Sequence, residues 1–564
     1  MIKRTSLSGL AIAAVSIVLL GLTAIDNPAI AETLAGTISS QKEGPMEGVL
    51  VSAKQQGSTI KVTVVSNAKG QYSFPGDRLS PGTYDITIRA VGYKLPPTIV
   101  GISTGQIATL DLKLNEVTDK MELARQLSNA EWMISAGKDG AKLGACVNCH
   151  TLQLPMFSKH NAEALASVVQ RMNLHTNNST LKHPWSDENM AVQMAKPPSE
   201  SHISLGKYIA SINLSDREVW PFELKTLPRP RGPDTQVIYT TYDLARPDAA
   251  PHDIAFDADG NVWYSDFTTQ YIGKLNPQTG EVKDYEIPLN RPDGIAQGGL
   301  QIDIDPEGKI WYGNMEQIQV VRFDPVTEKV MNIYNPISSE AAGDARTTMI
   351  DPASMKVDGN VWFNVAAEDG VKGRGAWRLH VPSGKLTQVT YPKDSIDAMA
   401  YDVVADSSNN LWGMRIATPY LWTTDAKELQ TEFFPVPEDR TGCRRGHMDN
   451  QDRLWCGDWA GNGILMFNTK TRKFEGNWTM PMMYTKPYAA HYDDKAYVWA
   501  AGMESDLVIR LNPQTEKLNQ FLLPIQNHNS RHVQVWKGKP DQLSSLWIGD
   551  QQGATITQIE PLTP

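Results

Sequence analysis

Trp263, Trp311, Trp362, Trp412, Trp455, Trp499 and Trp547 recur at intervals of 48, 51, 50, 43, 44 and 48 residues, and this period constrains the fold of more than half the chain. Each tryptophan marks the same local text. Gly260-Asn-Val-Trp-Tyr-Ser-Asp266 and Gly308-Lys-Ile-Trp-Tyr-Gly are close copies, and Leu275-Asn-Pro-Gln-Thr-Gly280, Phe323-Asp-Pro-Val-Thr-Glu328 and Leu511-Asn-Pro-Gln-Thr-Glu516 repeat one turn. Four short strands per repeat, repeated seven times, describe a seven-bladed β-propeller over residues 233–564. The last repeat stops soon after Ala554–Glu560 without an outer strand, so Gln236 to Leu244 is expected to supply it and close the ring. The tryptophans read as packing between blades. Asp257-Ala-Asp-Gly-Asn261 has the look of a calcium loop, but Asp and Gly are the usual turn formers and a strand-to-strand turn explains it better.

Two further units precede the repeats. Leu34–Ser39, Val49–Ala53, Ile60–Val65, Gln71–Phe74 and Tyr84–Arg89 are short, often alternating runs separated by turns such as Ser80-Pro81-Gly82, which predicts a small β-sandwich over residues 32–115. Residues 118–217 are helical by pattern, with helices expected from Glu122 to Ser135, Asn161 to Leu174 and Ser204 to Ile212. The fold class is therefore mainly β, a propeller preceded by a sandwich and an all-α domain. At the start, Lys3 and Arg4 precede an apolar run from Leu10 to Leu22, and Ala29-Ile30-Ala31 fits a signal peptidase, so residues 1–31 read as a signal peptide and the mature chain as periplasmic. The run is short of the roughly 20 apolar residues that a span needs, and no other segment is a candidate. Loss of Lys3, Arg4 and Asp26 takes the formal charge from −10 to −11, which argues against nucleic acid or anionic lipid as a main partner.

Within the helical unit, Cys146-Val147-Asn148-Cys149-His150 places two thiols three apart and an imidazole directly after them. That spacing fits covalent attachment of a c-type haem, with His150 as one axial iron ligand. The sixth ligand is open among Met156, Met172, Met190, Met194, His160, His175, His183 and His202. Met194 lies just before Pro197-Pro198 and the last helix, as in many short cytochromes, and is the runner-up. The order of Cys146–His150, Ser158-Lys-His160-Asn-Ala and Arg171-Met172 resembles the haem domains fused to streptogramin-lyase-like propellers, which implies Met172. The other two cysteines, Cys443 and Cys456, either pair as a disulfide across neighbouring strands or stay buried as thiols.

In a propeller, function concentrates where the innermost strands meet the central channel. Alignment on the tryptophans brings His252 and Asp253 of blade one, Gln301 of blade two and Asp402 of blade four to that channel. It does the same for Arg444, Arg445 and His447 of blade five, Tyr488 and His491 of blade six, and Arg531 and His532 of blade seven. These groups suit an anionic or hydroxylated substrate, or a metal that the sequence does not name.

Gly70–Phe74, Pro81–Tyr84 and Ala90–Tyr93 resemble the carboxypeptidase regulatory-like domain, which implies a spacer or docking module. Pro251–Asp257 with Asn261–Tyr264, Arg444-Arg445-Gly446, Pro487-Tyr488 and Arg531-His532 resemble the streptogramin (virginiamycin B) lyase family. Lyases of that family often carry Trp-Phe-Thr-Glu in a blade, whereas the position three beyond each tryptophan here reads Asp266, Asn314, Val365, Arg415, Asp458, Gly502 and Asp550. No blade supplies that glutamate. The reading favoured by the motif is an exported c-type haem protein that transfers electrons. Its propeller binds a small substrate or a protein electron donor or acceptor. The alternative is a metal-dependent lyase or lactonase housed in the propeller.

Overall fold

The computed structural model describes residues 32–563 apart from 149, 175–186, 216, 292–294, 342, 344, 368–372, 390–399 and 539–541. The expected signal peptide, Cys149, His175 and His183 therefore lie outside the described residues. Among the described residues, no helix is long and apolar enough to cross a membrane.

The seven-fold repeat forms a ring of seven blades, six of them separate four-stranded sheets and the seventh four strands of a larger sheet. Blade two shows the pattern, with Gly299–Ile304 innermost and Ile310–Asn314, Gln319–Asp324 and Lys329–Tyr334 following outward as an antiparallel meander. Innermost strands of successive blades touch one another around the ring, and Pro251–Phe256 of blade one meets Gln534–Trp536 of blade seven. Closure follows the expected route. Val237–Asp243 pairs antiparallel with Thr555–Pro561 along its whole length, so the chain's two propeller ends share one blade.

The tryptophans pack as expected and have a second task. Trp263 meets Phe323 of the next blade at 5.8 Å between centroids, Trp412 meets Phe467 at 5.3 Å, and Trp455 stacks on Tyr492 at 5.4 Å. The indole N–H of Trp263, Trp311, Trp412, Trp455 and Trp499 donates to an aspartate six residues earlier: Asp257, Asp305, Asp406, Asp449 and Asp493. The other oxygen of Asp257 accepts the backbone N–H groups of Asp259 and Asn261. One carboxylate thus closes the turn and satisfies a buried indole, and the calcium-like text of 257–261 is a turn.

The sandwich is not a separate bead. One of its sheets centres on Glu32–Ser40, and the other runs Ile60–Val65, Leu50–Gln55, Gly82–Arg89 and Thr98–Ile102. Ile60–Val65 pairs with the free side of Val237–Asp243, so the sandwich sheet and blade seven form one eight-stranded sheet. Arg89 ties the second contact, donating to Asp506 at 2.6 Å and to the Ile525 carbonyl at 2.9 Å. An outer propeller edge that would otherwise offer unpaired N–H and C=O groups is covered.

The intervening segment holds α1 (Lys120–Arg125), α2 (Asn129–Ser135), α3 (Gln153–Met156), α4 (Ala162–Leu174), α5 (Asp187–Met194) and α6 (Glu200–Ile212). The first expected helix is broken at Ser128, which caps α2 through a reciprocal box with Glu131. Gly206 lets α6 cross α4 closely, since a β-carbon there would sit 2.6 Å from the Ala166 nitrogen. The expectation of an all-α cytochrome domain is corrected. These short helices share their core with Val91 of the sandwich, with Trp220, Phe222 and Leu224 of the linker, and with Tyr484 of the propeller. The segment therefore packs as a layer on its neighbours.

Candidate functional site

Asp253 and Arg445 form the centre of the channel. Arg445 donates both terminal nitrogens to the Asp253 carboxylate at 2.8 Å, and His252 Nδ1 lies 2.6 Å from Asp253 Oδ1. Burial pushes the Asp253 carboxyl up, but Arg445, His532 and His252 outweigh it and hold the group well below the usual carboxylate range. Arg445 Nε also approaches Asp402 at 3.7 Å, and Asp402 accepts the Gly446 N–H at 2.9 Å. Gln301 accepts the Ile350 N–H at 2.7 Å, and Asp351 the Ala405 N–H at 2.6 Å. Blade after blade, a polar side chain near the channel holds the backbone of the next one, so Arg445, Asp402 and Gln301 have structural work. Buried polar groups paired across blades in this way specify the ring.

The channel histidines line the far wall. His447 stacks on His491 at 3.6 Å between centroids, and His252 stacks on Phe267 at 4.8 Å. Burial pulls His252 and His447 down to about 4 and His532 to about 3, so all three are neutral imidazoles at physiological pH. Among the described residues, no set of three His, Cys, Asp or Glu side chains gathers closely enough to hold a metal ion. The aspartates three beyond the repeat tryptophans are already engaged: Asp266 pairs with Arg246, Asp458 accepts the Gly461 N–H at 3.0 Å, and Asp550 accepts the Asn529 N–H at 3.1 Å. These residues do not fit a magnesium site.

A different environment occupies the channel end that lies under the helical segment. Here Asn529 and Gln552 donate to the Val147 carbonyl at 3.1 and 3.2 Å, and the Ala130 N–H donates to the Glu504 carbonyl at 2.8 Å. Arg444, 4% exposed, sits with its guanidinium carbon 3.8 Å from the Tyr488 ring centroid, 4.7 Å from Trp459 and 5.6 Å from Tyr401. Among the described residues the one acceptor its guanidinium reaches is the Met503 sulfur at 4.0 Å, and no carboxylate oxygen comes within 4.0 Å of it. The Tyr401 and Tyr488 hydroxyls are hydrogen-bonded to each other. Burial alone would raise the Tyr488 phenol, but Arg444, Arg531 and Arg445 together pull it below its ordinary value, while Tyr401 is raised. A proton leaves Tyr488 more easily than an ordinary tyrosine, and an arginine waits for an anion.

The propeller matches a family model over residues 215–511, more than half of the sequence, and the family is that of virginiamycin B lyase. The chain belongs to the virginiamycin B lyase family. Residues 33–115 match the carboxypeptidase regulatory-like domain. No curated protein matches the chain. Among solved structures, one titled a streptogramin B lyase structure is 17% identical over 57% of this chain and 97% of that chain, with a TM-score of 0.48. The selenomethionine-substituted virginiamycin B lyase from Staphylococcus aureus is 16% identical over 57% of this chain and 99% of that chain, with a TM-score of 0.47.

Family membership corrects the expectation that the chain acts as a haem protein in electron transfer with a redox partner. The match falls on the propeller, and residues 116–214, which carry the Cys-Val-Asn-Cys-His text, fall outside both family matches. Val147 serves as the docking point on blade seven, and Cys146 packs partly buried on the helical core. His150 Nδ1 lies 3.0 Å from its neighbour's carbonyl. Met172 on α4 and Met194 at the end of α5 are half-buried, Met156 is core, His160 is exposed, and His202 bonds to Asn173 at 3.0 Å.

Of the channel residues expected from the sequence, the structure brings His252, Arg445, His447, His491 and His532 together along the channel, with Arg444, Tyr488 and Arg531 at the end under the helices. It joins Cys443 to Cys456. Sequence reasoning missed Tyr401, Trp459, Lys486 and Glu504. The signal was one turn beyond the positions compared: Phe267, Trp459 and Met503 stand four after a repeat tryptophan, and Glu316 and Glu504 stand five after.

Proposed function

We propose that the chain is a lyase of the virginiamycin B lyase type whose reaction takes place between Tyr488 and Arg444. The observation that carries this reading is the Tyr401–Tyr488 pair set against a buried arginine that, among the described residues, has no carboxylate within 4.0 Å. Tyr488, poised to lose its proton, takes one from a carbon next to a substrate carbonyl. The C–H electron pair becomes a carbon–carbon double bond, and the bond to the leaving oxygen on the next carbon breaks with its pair. The departing oxygen takes up the proton that Tyr488 removed, which returns Tyr488 to its deprotonated form. Arg444 stabilises the negative charge that develops on the carbonyl oxygen, and Tyr401 keeps its proton and donates to the Tyr488 oxygen.

Incubation of the purified protein with virginiamycin B, followed by mass spectrometry, tests the reading. Elimination opens the ring at unchanged mass, and Tyr488→Phe abolishes it. A product one water heavier indicates a lactonase instead, and the absence of any ring opening removes virginiamycin B itself from the substrate range. Export to the periplasm, supported by the leader-like residues 1–31, belongs to the same proposal. Covalent haem at Cys146 and Cys149, with His150 and Met172 as iron ligands, is a separate proposal about the helical segment and has no part in the reaction. A pyridine haemochrome spectrum of exported protein decides it.

A further inference from the structure

Beside Arg444 and directly beneath the helical segment lies a group of buried polar atoms that the proposed elimination does not use. Glu504 is 1% exposed and neither of its carboxyl oxygens accepts a hydrogen bond. Lys486 Nζ stands 3.9 Å from Oε1 and 4.3 Å from the Trp459 ring centroid, the same ring that Arg444 approaches from 4.7 Å. Among the described residues, the Trp459 indole N–H and Arg444 Nε have no hydrogen-bond partner either. Gly144 forms the roof: a β-carbon on it would lie 3.9 Å from Glu504 Oε1 and 4.0 Å from Lys486 Nζ.

Buried polar groups are nearly always paired, and unpaired ones in a cluster mark the place of something that completes them. The inventory is specific. Two cations and two unused N–H donors call for a carboxylate, while two unused acceptor oxygens call for a hydroxyl. Two positive charges against one carboxyl also leave the cluster with excess positive charge, which one carboxylate neutralises. We propose that Arg444, Trp459, Lys486 and Glu504 bind a hydroxycarboxylate, with its carboxylate on the cations and indole N–H and its hydroxyl on Glu504, beneath Gly144. This deepens the lyase reading, on which it rests for the role of Arg444, by naming the chemical class of the group the substrate presents next to the reacting carbon. Burial raises the Glu504 carboxyl to about 7, against Lys486 and Arg444.

The test uses equilibrium binding on the full-length Tyr488→Phe protein, which does not turn over, so that failure of the lyase chemistry and failure of this site are separate results. Glycolate and acetate, which differ by one hydroxyl, are titrated calorimetrically. Glycolate is expected to bind about tenfold more tightly than acetate, the worth of one hydrogen bond to a charged group. In the same background, Lys486→Met weakens both by about tenfold or more. Glu504→Ala removes the preference for glycolate and leaves acetate binding in place. Gly144→Leu, at a position with ordinary helical backbone angles, fills the space and abolishes both, with circular dichroism checking that the fold is retained. No binding of glycolate at millimolar concentration, or equal binding of the two acids, overturns the proposal. So does binding that survives both Lys486→Met and Gly144→Leu.

Discussion

Arg444 and Arg445 are neighbours in the sequence, yet they live in opposite electrostatic worlds. Arg445 points along the channel into a bidentate pair with Asp253 and a second carboxylate, Asp402. Arg444 points under the helical segment, where it finds three aromatic rings and a sulfur and, among the described residues, no carboxylate oxygen within 4.0 Å. A buried charge that is fully paired holds a fold together, whereas a buried charge left to aromatic faces is available to a ligand. The deep channel is architecture, and the roofed end is where the proposed chemistry is placed.

The sharpest way to break this comparison is to truncate each arginine in turn. Arg445→Leu strands the Asp253 charge in the interior and is expected to destabilise the protein by about 3–5 kcal/mol in urea unfolding. Arg444→Leu removes a charge that makes no close ion pair among the described residues, so the loss should be limited to its ring contacts, about 1–2 kcal/mol. Equal losses for the two variants would refute the contrast.

A second experiment asks whether Glu504 sits unneutralised in the folded state. Its folded value of about 7 lies above its ordinary 4.5, so the unfolded chain releases the proton first and stability drains away as pH rises through that interval. Glu504→Gln should therefore gain on the wild type as pH rises, by up to about 3 kcal/mol above pH 7, and gain nothing near pH 4. A pH-independent difference would mean that the carboxyl is compensated after all.

His447 supplies the opposite sign. Its folded value of about 4 lies below 6.5, the unfolded chain binds the proton first, and stability is lost as pH falls across that range. His447→Gln should recover at most about 3 kcal/mol relative to the wild type at pH 4, with no pH-dependent gain at pH 8. Chemical denaturation at the two pH values measures it. The smallest effect belongs to the ring itself: Asp257→Ala deprives one indole and one turn of their acceptor and should cost about 1–2 kcal/mol, without changing ligand binding at the roofed end.

Much of the fold was legible because it is written periodically. Seven tryptophans, each with its turn, are enough to count blades, and the missing outer strand after Glu560 points to Val237–Asp243 as its replacement. The eight-stranded sheet that joins the sandwich to blade seven was not legible, since a strand's second edge leaves no trace in its own alternation of residues. The helical segment misled for a related reason. A five-residue motif with strong chemical associations was weighed as though its surroundings formed a separate domain, while its core is shared with three neighbours. Glu504 and Lys486 escaped notice because they are separated by 18 positions and come together only where blade six meets the helices.

By itself the sequence determined the ring, its closure and which residue types face the channel, because repeated strand-and-turn patterns bury the same positions in every blade. Tertiary structure alone decided which of those polar groups are spent on one another and which remain open. Hydrogen-bond and charge satisfaction is a property of neighbours in space, and here those neighbours come from blades and from a helical layer that lie hundreds of residues apart along the chain.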